Sequence, residues 1–349
     1  MKRKFFYFAV CALALSACTS EDVVEDVAKS RNAIGFVNVV NKPTRAEDIT
    51  GDNLNQFNVF GFYVNPTDPF SAYEIFDDVL VKRNGVNWSY EESLGELRYW
   101  LNGNKYYFYA YNCGNAEKLS TEYGTFSLDM DNKKQLSAKE RVLIINNYRC
   151  DYMHQHDLIY ASNVGGNDYE CLESLETGNA EVALQFKHIL SKVNARFTSK
   201  FPSEYTVYIK NVAIQNIRNF GNYHPVTQWQ GVVRVGEMPY INLSTATTDE
   251  EGNSTNISVV NGLDEKGRQL KADTGTGFVI PWGYQGDNPD ADGDNKVYLT
   301  FNIEVRNQGK VVLTKSLRAI LNPTWEPGYF YTYNVELSGS STNMDAIIF

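Results

Sequence analysis

The chain has 349 residues, with 32 lysines and arginines against 42 aspartates and glutamates, and a formal net charge of −10. That length suits two domains, and 23 tyrosines with 19 phenylalanines favour β structure and rule out a disordered chain. An acidic balance with no basic stripe excludes nucleic acid as a partner, and four histidines with five cysteines leave little material for a zinc or thiol enzyme.

Lys2, Arg3 and Lys4 precede the apolar run 5–15, a charged region and short hydrophobic core of the secretory kind. The run is too short to span a bilayer as a mature anchor. Its end, Leu15-Ser16-Ala17-Cys18, resembles the lipobox of bacterial lipoproteins. That resemblance implies removal of residues 1–17 and lipidation of Cys18, whose acyl chains would hold the protein to a membrane. An ordinary signal peptide ending beside Cys18 is the plainer alternative. Ser20, Glu21, Asp22, Glu25 and Asp26 follow, so 18–32 reads as a solvated acidic tether. The stretch also resembles the acidic signal that sends lipoproteins of the Bacteroides group to the outer face of the outer membrane.

The rest reads as strands. Candidates by alternation are 33–39, 57–64, 105–111, 142–145, 181–186 and 205–214. The run 105–111 carries bulk on both faces, as a central strand covered on each side would. Phe186, Ile189, Leu190 and Val193 have helical spacing, but alternation on both flanks favours a strand followed by a turn. At 297–305, Val297, Leu299, Phe301, Ile303 and Val305 share one face. Residues 307–310 turn the chain into a return strand at 311–314, and 328–337 alternates again, with Tyr329, Tyr331, Tyr333, Val335 and Leu337 together. Strands in turn-punctuated succession, without helices between, call for sheet packed on sheet. The polar, glycine-bearing stretch 173–179 is the weakest seam, which divides the body into 33–178 and 179–349.

No catalytic constellation assembles, and no cofactor is implied. Asp290, Asp292 and Asp294 offer alternate oxygens of the kind calcium takes. A standard calcium loop starting at Asp290 would need glycine and glutamate where Asn295 and Phe301 stand, so the segment reads as an acidic hairpin loop with an opportunistic cation site as the alternative. His154, His156 and Asp157 lack a fourth ligand by spacing and read as a surface loop. Cys113, Cys150 and Cys171 remain for the body; they read as buried thiols, with Cys150 and Cys171 the pair if one forms. Trp88, Trp100, Trp229, Trp282 and Trp325 could stack on sugars from an exposed platform, which makes a carbohydrate-binding module the alternative function.

Several stretches, taken in order, resemble the fimbrillin-type major and minor fimbrial subunits of Bacteroides and Porphyromonas relatives. They are Leu15 to Cys18; Ile34-Gly35-Phe36 before Pro43-Thr44-Arg45-Ala46; the run 57–63; Trp88 and Tyr99-Trp100 before the aromatic run 106–111; 157–161 before 184–193; and Trp325-Glu326-Pro327-Gly328 before 331–335. The resemblance implies an all-β fold of two transthyretin-like Greek-key β-sandwich domains in tandem. It implies a surface-exposed lipoprotein of the outer membrane that joins other fimbrial subunits by donor-strand addition, and surface glycans or proteins as adhesion targets. In that family an Arg-specific protease cuts near the start of the first domain, and Arg45 is the matching position. The leading strand, 33–40, would then leave a groove for a neighbour's terminal strand. The chain departs from the family at its end, where Phe349 closes a short tail after a Ser/Gly/Thr-rich hinge. That tail reads either as a donor strand or as a last strand of its own sheet.

Overall fold

A computed structural model describes residues 33–40, 49, 53–114, 119–162, 172–173, 181–244, 257–259, 271–282, 296–338 and 347–348. The first part of the chain forms β1 (Phe36–Val40), β2 (Gln56–Asn65), β3 (Asp68–Asn84), β4 (Asn87–Ser89), the helical turn α1 (Glu91–Leu94), β5 (Lys105–Asn112) and β6 (Thr125–Ser127). After these come β7 (Ile144–Arg149), β8 (Ile159–Ser162), β9 (Leu172–Glu173), β10 (Val182–His188), β11 (Ser191–Ser199), β12 (Tyr205–Gln215), β13 (Phe220–His224) and β14 (Gln228–Val233). The remainder forms β15 (Tyr240–Asn242), β16 (Ile257–Val259), β17 (Ala272–Asp273), β18 (Gly277–Val279), β19 (Val297–Asn307), β20 (Lys310–Leu321), β21 (Phe330–Leu337) and β22 (Ile347–Ile348). The fold is all-β.

The largest sheet runs β1-β10-β8-β5-β2-β3-β4, with β9 on the edge of β5. Its two ends, β1 and β4, touch, so the sheet curls nearly closed into a barrel. Three further sheets run β17-β11-β21-β22, β15-β12-β19-β20 and β14-β13-β7-β6.

The alternation expected of β5 explains how two cores form. Tyr106, Phe108 and Ala110 point into the barrel, with Phe36, Phe57, Phe76, Val182, Leu184 and Phe186. Tyr107, Tyr109 and Tyr111 point out of it into a second, larger core that continues to Leu337. A strand buried on both faces has to be apolar at nearly every position, and all of β5 after Lys105 is buried. Gly61 on β2 permits the tight side of this arrangement. A Cβ there would lie 2.8 Å from Phe108 Cδ1 and 3.1 Å from Phe76 Cδ2.

The ambiguous run beyond 186 is a strand, a turn at Ile189–Leu190, and a second strand. The chain passes there from the barrel sheet to the sheet of β11. Trp229 Nε1 donates to the Ile189 carbonyl at 2.6 Å, and the Gly328 N–H donates to the Leu190 carbonyl at 2.8 Å. Two motifs far apart in sequence, 184–193 and 325–328, therefore meet at one crossover. Strand pairing crosses residue 178 three times: β10 pairs with both β1 and β8, and β13 pairs with β7.

The return strand after β19 is longer than expected, reaching Leu321 through a two-residue turn in which Gln308 (φ 48°) and Gly309 (φ 79°) are both left-handed. That turn matches the twist of a tight hairpin. The 17-residue β3 carries no clean alternation. Its pairing with β2 shifts register at three places, and Asp78 sits at φ 51°.

Candidate assembly site

The segment 33–40 enters the barrel sheet at its end. β1 runs parallel to β10, Phe36 beside Val182 through Val40 beside Phe186. Just ahead of it, the Val182 N–H donates to the Gly35 carbonyl at 2.8 Å, and the Ile34 N–H donates to the Arg98 carbonyl at 2.8 Å. Ala33 bridges to Tyr99. The Tyr90 hydroxyl donates to the Ile34 carbonyl at 2.9 Å while accepting from the Arg98 N–H at 3.1 Å, so one phenol joins both sides of the slot.

Alternation puts Ile34 and Phe36 inward, and both are buried. The Phe36 ring stands edge-on to Phe57, Phe76, Tyr90 and Phe108 at centroid distances of 6.0, 5.5, 5.9 and 5.8 Å. Burying such a ring contributes about 1.5–3 kcal/mol, with more from the edge-to-face geometry. Taking the segment away would leave the ring pocket open and strip β10 of its parallel neighbour. The slot's far wall, Tyr90 with Arg98, has no mark in sequence: those residues are brought to Ile34 by the bend after α1.

At the other end of the chain, β22 folds back on β21, with Ile348 opposite Glu336 and Ile347 opposite Leu337. Of the two readings of the tail, this is the one in which it closes its own sheet.

Cys18, Arg45, Asp290, Asp292 and Asp294 lie outside the described residues, as does Cys171. Cys113 and Cys150 are buried thiols. Burial, with Asp78 adding to it, pushes the Cys113 thiol up to about 11, and burial with Asp151 raises the Cys150 thiol as well.

The expectation of a surface loop at 154–157 needs correction, because only His156 is exposed. Gln155 draws the loop inward: its amide donates to the Asp151 carbonyl at 2.8 Å and accepts from the Phe278 N–H at 2.7 Å. His154 is thereby stacked flat on Tyr123, centroids 4.3 Å apart. Asp157 turns away from both histidines, and its Oδ2 lies 2.8 Å from Nδ1 of His188, both side chains buried. The approach lacks the alignment of a hydrogen bond. That contact was invisible in sequence because β8 and β10 become neighbours only in the sheet. Among the described residues, no three His, Cys, Asp or Glu side chains are grouped to hold a metal ion.

The tryptophans do not make a platform. Trp100, Trp229, Trp282 and Trp325 are buried, and Trp88 is half-buried against Phe57 at 4.9 Å.

The family model described as fimbrillin-like matches residues 44–348. Among solved structures, a fimbrial protein from Bacteroides vulgatus is similar at 14% identity and a TM-score of 0.58, covering 90% of this chain and 97% of that one. A putative cell adhesion protein from Bacteroides fragilis is similar at 11% identity and a TM-score of 0.39, covering 91% and 93%. The fimbrial anchor protein Mfa2 from Porphyromonas gingivalis is similar at 12% identity and a TM-score of 0.34, covering 88% and 90%. No curated protein matches the chain. With a model that spans most of its length and an all-β fold shared with a fimbrial protein, the chain belongs to the fimbrillin-like family.

Proposed function

We propose that this protein is a non-enzymatic, structural or adhesive subunit of a cell-surface fimbria, exported as a lipoprotein, anchored to the outer membrane through Cys18, and assembled by strand exchange once Arg45 is cut. The observation that carries the assembly step is the slot of residues 33–40. Among the described strands this segment pairs with β10 alone, and the chain joining it to β2 contains Arg45. Cleavage there would free the segment to leave, and the uncovered pocket and sheet edge would need a partner strand, since each buried unpaired backbone group costs about 1–3 kcal/mol. The donor is the end of a neighbour's chain. Because β22 has two residues, β21 is expected to move with it. The tandem transthyretin-like Greek-key sandwiches, divided near residue 178, rest on the family resemblance; the two cores do not part there, since the larger runs from Phe60 to Leu337 and the smaller reaches Phe186.

Treating the purified precursor with an Arg-specific protease should produce high-mass, SDS-resistant ladders. These should vanish in Arg45→Ala and in a chain truncated after Ser338. Efficient cutting at Arg45 with a strictly monomeric product would reject the stalk role and leave a tip, an anchor or a non-polymerising adhesin.

A further inference from the structure

One end of the barrel carries a row of aromatic rings that the assembly reading does not use. Strand register sets Tyr73 of β3 opposite Tyr63 of β2, and Tyr63 opposite Tyr106 of β5. Tyr63 and Tyr73 are stacked, centroids 5.1 Å apart and planes 18° apart; Tyr63 and Tyr106 follow at 5.5 Å, and Trp100 closes the row edge-on to Tyr106 at 4.7 Å. Exposure grows along the row. Trp100 and Tyr106 are buried, Tyr63 is half-buried and Tyr73 is 45% exposed. Beyond Tyr73 no described strand follows, because β4 pairs with β3 only from Lys82 to Asn84. The stack ends on a ring with an open side.

Polar groups lie farther along the same strand. Two residues along β3, the Ile75 carbonyl accepts from Arg98 Nε at 3.3 Å, and the same guanidinium is paired with the Glu96 carboxylate. The pair offers fixed donors and acceptors at the edge of an apolar face. At the buried end of the row, Trp100 Nε1 has no hydrogen-bond partner.

We propose that this end of the barrel is a binding site for a neutral saccharide, with a sugar ring stacked on Tyr73 and its hydroxyls bonded by Arg98 and Glu96. A flat ring face bordered by a few convergent polar groups suits a pyranose, which has an apolar face and a hydroxyl rim. Charge selects against acidic sugars: β3 carries Asp68, Glu74 and Asp77, and Glu96 balances Arg98. An added peptide strand fits less well. Arg98 already occupies the Ile75 carbonyl and Ser93 Oγ the Leu80 carbonyl at 2.7 Å, and Asp78 breaks the strand with its left-handed backbone.

The proposal rests on the adhesive side of the proposed function and not on strand exchange, so its test leaves ladder formation unchanged. The full chain is applied to an array of neutral hexose and N-acetylhexosamine oligosaccharides, and bound sugars are measured by saturation-transfer NMR. Tyr73→Ala should weaken binding by about ten-fold or more, as expected for a lost stacking ring, while Tyr73→Phe retains it. Glu96→Gln should weaken it without changing the unfolding midpoint. Tyr152→Ala, which removes an exposed ring from a different stacked pair, should leave binding intact. A folded wild type that binds none of these sugars overturns the proposal. Binding undiminished in Tyr73→Ala, or capture of an extended peptide in place of the sugars, overturns it too.

Discussion

His154 shows how burial sets the chemistry of a single residue. Its ring lies flat on Tyr123 and edge-on to Tyr148 and His156, and burial, with His156 adding to it, holds its imidazole down to about 4. An unfolded histidine takes up its proton near pH 6.5. Between those values the unfolded chain binds a proton that the native one does not, so this contribution is complete above pH 6.5 and is lost as pH falls towards 4. Allowing for solvent screening, the effect is about 2 kcal/mol. Urea unfolding followed from pH 7 to 4.5 should show this slope, and His154→Gln should flatten the difference between the two ends. Gly61 gives a second prediction at this scale. Gly61→Ala places its Cβ against the rings of Phe108 and Phe76 and should cost about 1–3 kcal/mol in the same assay. No comparable strain applies at Gly85, where a Cβ meets nothing within 4 Å, although its φ of 62° still favours glycine.

Among the elements, β1 and β5 behave in opposite ways. β5 is buried on both faces between two hydrogen-bonded neighbours, β8 and β2, so it is fixed by its surroundings. β1 sits at the end of its sheet, and one aromatic ring carries much of its attachment. Phe36→Ala should therefore lower stability by about 3–5 kcal/mol by emptying a ring-lined pocket. It should also speed release of the segment after Arg-specific cleavage, which mass spectrometry of the retained and released fragments would read. Tyr90→Phe removes the hydroxyl shared by Ile34 and Arg98 and should cost about 1 kcal/mol with the ring packing kept. The regular strands β10 and β19 were legible from alternation, and so was β5 from its two-sided bulk. β3 was not, because its three register shifts and the left-handed Asp78 destroy the period on which such readings depend. β13 escaped notice for a similar reason: its pairing with β7 shifts register between Gly221 and Tyr223, and its buried positions are a glycine and a tyrosine while Phe220 stands on the other face.

Across the whole molecule, the sheets interlock. The larger core takes Phe60 and Tyr148 from the first half and Phe301 and Leu337 from the second, and β7 is paired with β13 across the seam. Residues 179–349 expressed alone would lose β7 and β6 from one sheet and expose that core. They should give a poorly dispersed NMR spectrum, whereas the full chain should unfold in one cooperative transition. For the proposed lipid anchor, Cys18→Ala should abolish labelling by a fatty-acid analogue, and protease shaving of intact cells should remove the body of the protein.

Three things were determined by the sequence alone. Alternating residues specify strands wherever one face is apolar, the absence of helical stretches between them specifies sheets packed on sheets, and the ordered motifs specify the family. All three follow from local periodicity or order along the chain, which need no knowledge of neighbours. Tertiary structure alone decided which strands lie side by side. That choice placed Phe36 in a ring of four aromatics, brought Asp157 to His188 instead of to His154, buried four tryptophans, and left Tyr73 at the open end of a stack. Each is a contact between residues far apart in the chain. Its existence depends on register and on the crossover at Ile189–Leu190, quantities that the pattern within any one segment does not encode.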